Sequence, residues 1–281
     1  MVRIAHISDT HIRNLKFHKQ YRTAFKDMYS QLRDLKPDYI VHCGDIAHRK
    51  TDISPELVDM TTDFLRNLAD IAPTHVILGN HDGNLRNDSR QDAITPIVDA
   101  MENPNVFLYK NSGEHDIGDN VVNVLSVFDK DNWITEPTDG SKINVALYHG
   151  SVAGCKTETG FLLEHGIDIS KLQNFDYAML GDIHKTNQCL DHDGRVRYCG
   201  STIQQNHGET NDKGVLIWDI EDQDKFEVTH HQILNINPFV TVVLTPKGKV
   251  PKNLEVPEGA RIRIRSMNQI SVGAMRKAQS V

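Results

Sequence analysis

Long apolar runs are missing from this 281-residue chain. None approaches the roughly 18 residues needed to span a bilayer, so no membrane association is expected. No leader pattern opens it either: MVRIAHISDT enters a strand-like alternation at once, and a cytoplasmic protein is expected. Cysteine is scarce. The four present (Cys43, Cys155, Cys189 and Cys199) fit neither a zinc spacing nor a disulfide framework and read as reduced thiols. No internal repeat or low-complexity segment is found, which sets aside repeat architectures. Net positive charge is lacking too, at −7 overall, but the deficit is uneven. Residues 236–281 hold 8 Lys/Arg against 2 Asp/Glu, leaving 23 against 36 in residues 1–235. An acidic body suits a protein whose carboxylates bind cations, and a basic tail suits either a nucleic-acid contact or a plain solvated face.

What remains is an ordinary globular composition, long enough for one large domain and a small appendage. Strands and helices alternate through the first half. A strand at about 2–8 precedes a helix over 19–35, where Tyr21, Ala24, Phe25, Met28, Tyr29, Leu32 and Leu35 share one face. DYIVHCG is a second buried strand, and SPELVDMTTDFLRNLADIA a helix with Ser54 as N-cap and Pro55 at its first position. THVILG is a third strand, SRQDAITPIVDAM a helix disturbed at Pro96, and NVFLY a fourth strand. Such alternation indicates a largely parallel sheet covered by helices.

The second half is β-rich. NVVNVLSVFD, INVALYHG and DYAMLGDI read as strands, QCLDHDGRVRYCG as a hairpin turning at Asp193-Gly194, and KGVLIWDIE with KFEVTHHQIL as an antiparallel pair. The expected fold class is α/β, with two packed mixed sheets flanked by helices. NINPF breaks the pattern, so a boundary is placed near 235, with FVTVVLT and ARIRIRS as strands of a small second unit over 236–281.

Polar groups recur where these strands end. The first strand delivers Asp9 and His11; YIVHCGDIAH ends on Asp45 and His48; THVILGNHD ends on Asn80, His81 and Asp82. ALYHG adds His149, and YAMLGDIHK adds Asp182 and His184. In open α/β sheets, sites lie beyond the carboxyl ends of the strands. An oxygen-and-nitrogen donor set without thiolate suits Mn²⁺, Fe²⁺, Mg²⁺ or Zn²⁺. The donors outnumber the needs of one ion, and a two-metal site with a shared carboxylate accounts for them.

The ordered set D-x-H, G-D-x-x-H, G-N-H-D, strand-end His, G-D-x-H resembles the calcineurin-like metallophosphoesterase superfamily over nearly all of residues 1–235. It is similar, more narrowly, to the nuclease subunit of SbcCD-type double-strand-break repair complexes, phage versions included. Three stretches carry that narrower likeness: YCGSTIQQNHGE…KGVLIWDIE, GDIAHRK with His48, and NPFVTVVL, which resembles the entry to a capping domain.

The resemblance implies a sandwich with helices outside, and a nuclease (double-strand exonuclease and single-strand endonuclease) working through two divalent ions, Mn²⁺ or else Mg²⁺. One ion would be held by Asp9, His11, Asp45 and His184, the other by Asp45, Asn80, His149 and residue 182. His81 would stabilise or protonate the leaving oxygen, His48 would help position the phosphodiester, and Asp82 would stand behind the ligands and orient a histidine through its ring N–H. The usual G-H-x-H is here Gly181-Asp182-Ile183-His184. Asp182 is then either an anionic ligand, the expectation taken here, or a group behind the ligands with a weaker second ion.

Expected partners are DNA, touched by Arg86 and Arg90, an SbcC-type SMC-like ATPase, and a second copy of the chain. Met60, Phe64, Ile97 and Met101 on the helices near the third motif are apolar candidates for the dimer surface, although the sheet competes for them. The ATPase docks beyond the capping domain in that family, and this chain stops at AMRKAQSV, so a truncated chain or a missing docking element is expected. A phage-encoded version would work in the host cytoplasm. The competing readings are a nucleotide or small-molecule phosphodiesterase or phosphatase, which would share every ligand, and a silent scaffold, which would not need His81.

Overall fold

The computed structural model describes residues 1–87 and 89–280; Val281, the last residue of the expected second unit, lies outside them. Two six-stranded mixed sheets face each other. The chain runs β1 (Val2–Ile7), α1 (His18–Leu35), β2 (Tyr39–Cys43), α2 (Pro55–Ala69), β3 (Thr74–Ile77), α3 (Thr95–Met101) and β4 (Val106–Tyr109). Then follow β5 (Gly113–Ile117), β6 (Asn120–Leu125), β7 (Ile143–His149), β8 (Tyr177–Gly181), β9 (Gln188–Cys189) and β10 (Val196–Tyr198). The antiparallel pair β11 (Gly214–Ile220) and β12 (Phe226–Gln232) returns to the first sheet, ordered β12-β11-β1-β2-β3-β4. The second sheet is ordered β5-β6-β7-β8-β10-β9. A parallel pair, β13 (Phe239–Val243) and β14 (Arg261–Arg265), and α4 (Val272–Gln279) complete the chain.

Three apolar layers hold these elements. Phe25, Met28 and Leu32 of α1 and Phe64 and Leu68 of α2 pack on Ile7, Ile40 and Val76. Each such fully buried side chain contributes about 1.5–3 kcal/mol of transfer free energy. Ile4, Val41, Ile77 and Trp218 meet Val122, Val124, Val145, Leu147 and Met179 between the sheets. The outer face of the second sheet is covered by loop residues Val152, Leu172 and Phe175, without an α-helix among the described residues. Met60, Phe64, Ile97 and Met101 are all buried in the first layer, so they are not free to line a surface between two copies.

Local chemistry explains the element ends. Ser54 Oγ accepts the Leu57 N–H at 3.2 Å and starts α2, with Pro55 in its first turn. Pro96 also starts a helix and does not disturb one. Asp92 Oδ1 accepts the N–H groups of Ile94 and Thr95, which holds 89–94 out of the helix and makes Pro96 part of its first turn. The hairpin tip is wider than Asp193-Gly194: the Asp191 carboxylate accepts the N–H groups of Arg195 and Val196, and Gly194 takes φ +81°. Strand β5 and helix α4 lack a strong apolar period; α4 buries only Ala278.

Candidate metal centre

Strands β1, β2 and β3 are parallel neighbours, as are β7 and β8 in the facing sheet, so their carboxyl ends open at one end of the sandwich. Beyond the sheet the loops zip together. Asp9 N–H donates to Gly44 O, His11 N–H to Asp45 O and Ile12 N–H to Ile46 O, at 3.0, 2.9 and 2.7 Å. Four site residues hold left-handed backbone: Asp9 (φ +51°), His11 (+49°), Asp45 (+58°) and Asp182 (+93°). Non-glycine residues rarely adopt such angles, and they cluster where surrounding structure forces a functional geometry. At Gly79 and Gly181 the backbone angle is ordinary, but a β-carbon would collide with Asp45 and with Cys43 O, respectively. Close approach of the loops is what requires glycine there.

The first group is Asp9, His11 and His184. His11 Nε2 stands 3.7 Å from Asp9 Oδ1, His184 Nε2 3.5 Å from the same oxygen, and the two imidazole nitrogens are 3.0 Å apart. Asp45 joins the groups: Oδ2 is 3.6 Å from His11 Nε2, and Oδ1 is 3.4 Å from Nε2 of His149. Asp182 Oδ1 lies 3.9 Å from His149 Nε2, and Asn80 Nδ2 donates to it at 3.3 Å. Sequence positions 9 to 184 thus converge on two adjacent clusters with the Asp45 carboxylate between them.

Charge and hydrogen bonding fix which atoms face inward. His149 Nδ1 donates to Cys43 O at 2.7 Å, so Nε2 is the nitrogen turned to the site; it is buried without a hydrogen-bond partner among the described residues. Asn80 turns its NH₂ to Asp182, which leaves Oδ1 buried and unpaired. Burial pushes Asp9 up, but the hydrogen bond and charge of His184 outweigh it and hold the carboxyl down to about 2. Burial pushes His184 down, and Asp9 with Glu209 outweighs it, raising the imidazole to about 10. His149 is likewise held well above its ordinary value, mainly by Asp45 acting against burial. His184 and His149, both raised, offset part of the charge of the converging Asp9, Asp45 and Asp182. Orphaned buried nitrogen and oxygen donors beside anionic oxygens suit a divalent metal, so the residues fit the group.

Asp82 corrects one expectation. It meets no histidine ring; its fully buried carboxylate accepts backbone N–H groups of Asp45, Ala47 and Gly79 at 2.8–2.9 Å and of Ile46 at 3.3 Å. Glu209 takes the role imagined for it, because Oε1 accepts Nδ1–H of His184 at 2.9 Å. Its place in the quoted stretch YCGSTIQQNHGE was the only sequence signal.

At the mouth, His81 is exposed and donates Nδ1–H to His48 O at 2.7 Å; its ring centroid is 4.8 Å from that of His11. His48, half-buried, is pushed down to about 4 by burial and then by Arg13. A cleft of ≈ 490 Å³ beside them is lined by Arg49, Lys50, Asn80, His81, Asn84 and Arg86, among others. Arg49 and Lys50 bring two further cations to that lining. Arg90 is exposed on the same loop and is not part of that lining. No helix among the described residues is long and apolar enough to cross a membrane.

Comparison with known proteins places this geometry. An uncharacterized protein of Acanthamoeba polyphaga mimivirus is 33% identical, over 95% of this chain and 21% of its own length. The DNA double-strand break repair protein Mre11 of Haloferax volcanii is 29% identical, over 76% of this chain and 48% of its own length. Exonuclease subunit 1 of Enterobacteria phage T4 is 23% identical, over 64% of this chain and 52% of its own length. The chain therefore spans about a fifth of the first relative and about half of the other two. The sequence model described as "Calcineurin-like phosphoesterase" matches residues 2–232. A match over that span, with clusters at the strand ends that could hold metal ions, means that the chain belongs to the calcineurin-like phosphoesterase family.

Proposed function

We propose that this phosphoesterase cleaves DNA, as exonuclease on duplex ends and endonuclease on single strands, with two divalent ions, Mn²⁺ or Mg²⁺. The observation that carries the two-ion reading is Asp45, whose oxygens face His11 on one side and His149 on the other. Asp9, His11, His184 and one Asp45 oxygen would hold one ion; His149, Asn80, Asp182 and the other oxygen would hold the second. Bound there, the ions supply Lewis acidity to a phosphoryl group and an activated water. His81 is anchored through Nδ1, leaves Nε2 free, and as the imidazolium can give its Nε2 proton to the leaving oxygen. His48 positions the diester beside it. Neither is a ligand in this scheme.

Support for DNA as substrate is the basic rim of Arg49, Lys50 and Arg86 beside His81, together with the names of two relatives. Residues 236–281 would be the start of a capping unit carrying Arg263 and Arg265 toward DNA. A second copy of the chain and an SbcC-type ATPase, in a cytoplasmic repair complex, are the proposed partners.

The test is digestion of end-labelled linear duplex and circular single-stranded DNA with Mn²⁺, Mg²⁺ or chelator, beside bis-p-nitrophenyl phosphate. His81→Ser is expected to lower cleavage by about 100-fold or more while Mn²⁺ binding by calorimetry persists. Loss of binding and cleavage together would overturn the non-ligand role. Turnover of the small diester alone would assign a small-molecule phosphodiesterase instead.

A further inference from the structure

Arg13 stands directly behind His48 at the mouth of the site. Its Nη1 lies 3.0 Å from Nε2 of His48, and Nη2 reaches the backbone oxygen and Oε1 of Gln205 at 3.3 and 3.5 Å. A guanidinium offers five N–H groups and no acceptor. Nε2 of His48 must therefore accept, and the ring's single proton must sit on Nδ1. That Nδ1 is buried without a hydrogen-bond partner among the described residues. His81 also carries a proton on Nδ1, since the His48 carbonyl can only accept from it, but here Nδ1 is the engaged nitrogen and Nε2 the free one. The two rings lie nearly parallel, 6.0 Å apart and 28° between planes, one offering an N–H and the other a free Nε2.

We propose that Arg13 is a positioning residue for phosphodiester cleavage: it selects the Nδ1–H tautomer of His48, so that this ring gives a hydrogen bond to an anionic phosphoryl oxygen. The role in cleavage rests on the function proposed above; the tautomer does not. The assignment also decides between two uses of one cluster. One nitrogen each from His11, His48 and His81 lie within 4.8 Å of one another, a spacing that could hold a third metal ion. A metal on His48 would need a lone pair at Nδ1, which the Arg13 hydrogen bond removes, and would set a dication near a guanidinium. Arg13 thus keeps His48 a donor and not a ligand.

Phe17 steadies Arg13 from the side. The guanidinium carbon is 5.6 Å from the centre of its ring, and Arg261, first residue of β14, lies over the same ring at 4.1 Å. Phe17 holds φ +66°, a conformation a bulky side chain rarely takes. The β13–β14 pair is therefore three contacts away from His48, through Phe17 and Arg13.

The test uses the full chain, labelled with ¹⁵N-histidine, and long-range ¹H–¹⁵N spectra of the metal-free protein. Wild type is expected to show His48 as the Nδ1–H tautomer, Arg13→Met to shift it toward Nε2–H, and Arg13→Lys, which still only donates, to keep it largely unchanged. With Mn²⁺ and bis-p-nitrophenyl phosphate, Arg13→Met should lower kcat at least about 10-fold with KM within about twofold. In a His48→Ala background the same change should cost nothing further. An Nδ1–H tautomer that survives in Arg13→Met, or a full effect of Arg13→Met without His48, overturns the proposal. Thermal unfolding and Mn²⁺ affinity matching wild type separate this from misfolding. If wild type cleaves no diester, the function fails, while the spectra still decide whether Arg13 sets His48.

Discussion

Nδ1 of His184 donates to Oε1 of Glu209 across 2.9 Å, and the other hydrogen bonds of that carboxylate among the described residues are also from donors. Asn206 Nδ2 shares Oε1, while Ser201 Oγ and the Gln205 N–H meet Oε2. Glu209 therefore fixes the ring so that Nε2 faces Asp9, and its charge makes that nitrogen a better ligand. Glu209→Gln keeps the shape but turns an NH₂ toward donors. Mn²⁺ affinity, measured by calorimetric titration of metal-free protein, is expected to fall about 10–100-fold. An unchanged affinity would mean that Glu209 only braces its loop.

The same contact predicts a pH signature. His184, raised to about 10, stabilises the metal-free fold fully below its ordinary 6.5, and that contribution is lost as pH climbs toward 10. Asp9, lowered to about 2, contributes above its ordinary 3.8, and that share is lost as pH falls toward 2. Between these limits a metal must displace protons from His184 and His149. Apparent metal affinity should rise between about pH 6 and pH 8, by about tenfold per unit for each proton released. Calorimetry in two buffers of different ionisation enthalpy counts those protons, and a count of zero would falsify the scheme.

Much of this was legible in the sequence because it depends on period and order. The 3.6-residue spacing of Phe25, Met28 and Leu32 marked α1, and Gly44, Gly79, Gly150 and Gly181 marked where later strands ended. What order cannot carry is direction. Nothing in YIVHCGDIAH says that the two oxygens of Asp45 face different histidines; the facing sheet and a left-handed backbone angle decide that. Arg13 and Glu209 were overlooked because each acts through one contact with a residue distant in sequence, 35 and 25 positions away. Pro96 misled because a proline that starts a helix and one that disturbs it read alike, until the side chain of Asp92 is seen capping the turn before it.

Asp82 was assigned the wrong partner for a related reason: a carboxylate in a metal motif suggests a histidine, whereas backbone N–H groups leave no mark in sequence. Its two oxygens take four such groups, from Asp45, Ile46, Ala47 and Gly79, and so tie the loop after β2 to the loop after β3. Buried N–H donors left unpaired cost about 1–3 kcal/mol, and hydrogen bonds to charged groups contribute more than neutral ones. Asp82→Asn retains one accepting oxygen and aims an NH₂ at the remaining donors. Urea unfolding with chelator present, which removes any metal contribution to stability, should show a loss of about 2–3 kcal/mol. Mn²⁺ affinity should fall as well, since Asp45 would lose the anchor of its own N–H. An Asp82→Asn protein that unfolds at the wild-type urea concentration would show that the loops hold Asp45 in place without this carboxylate.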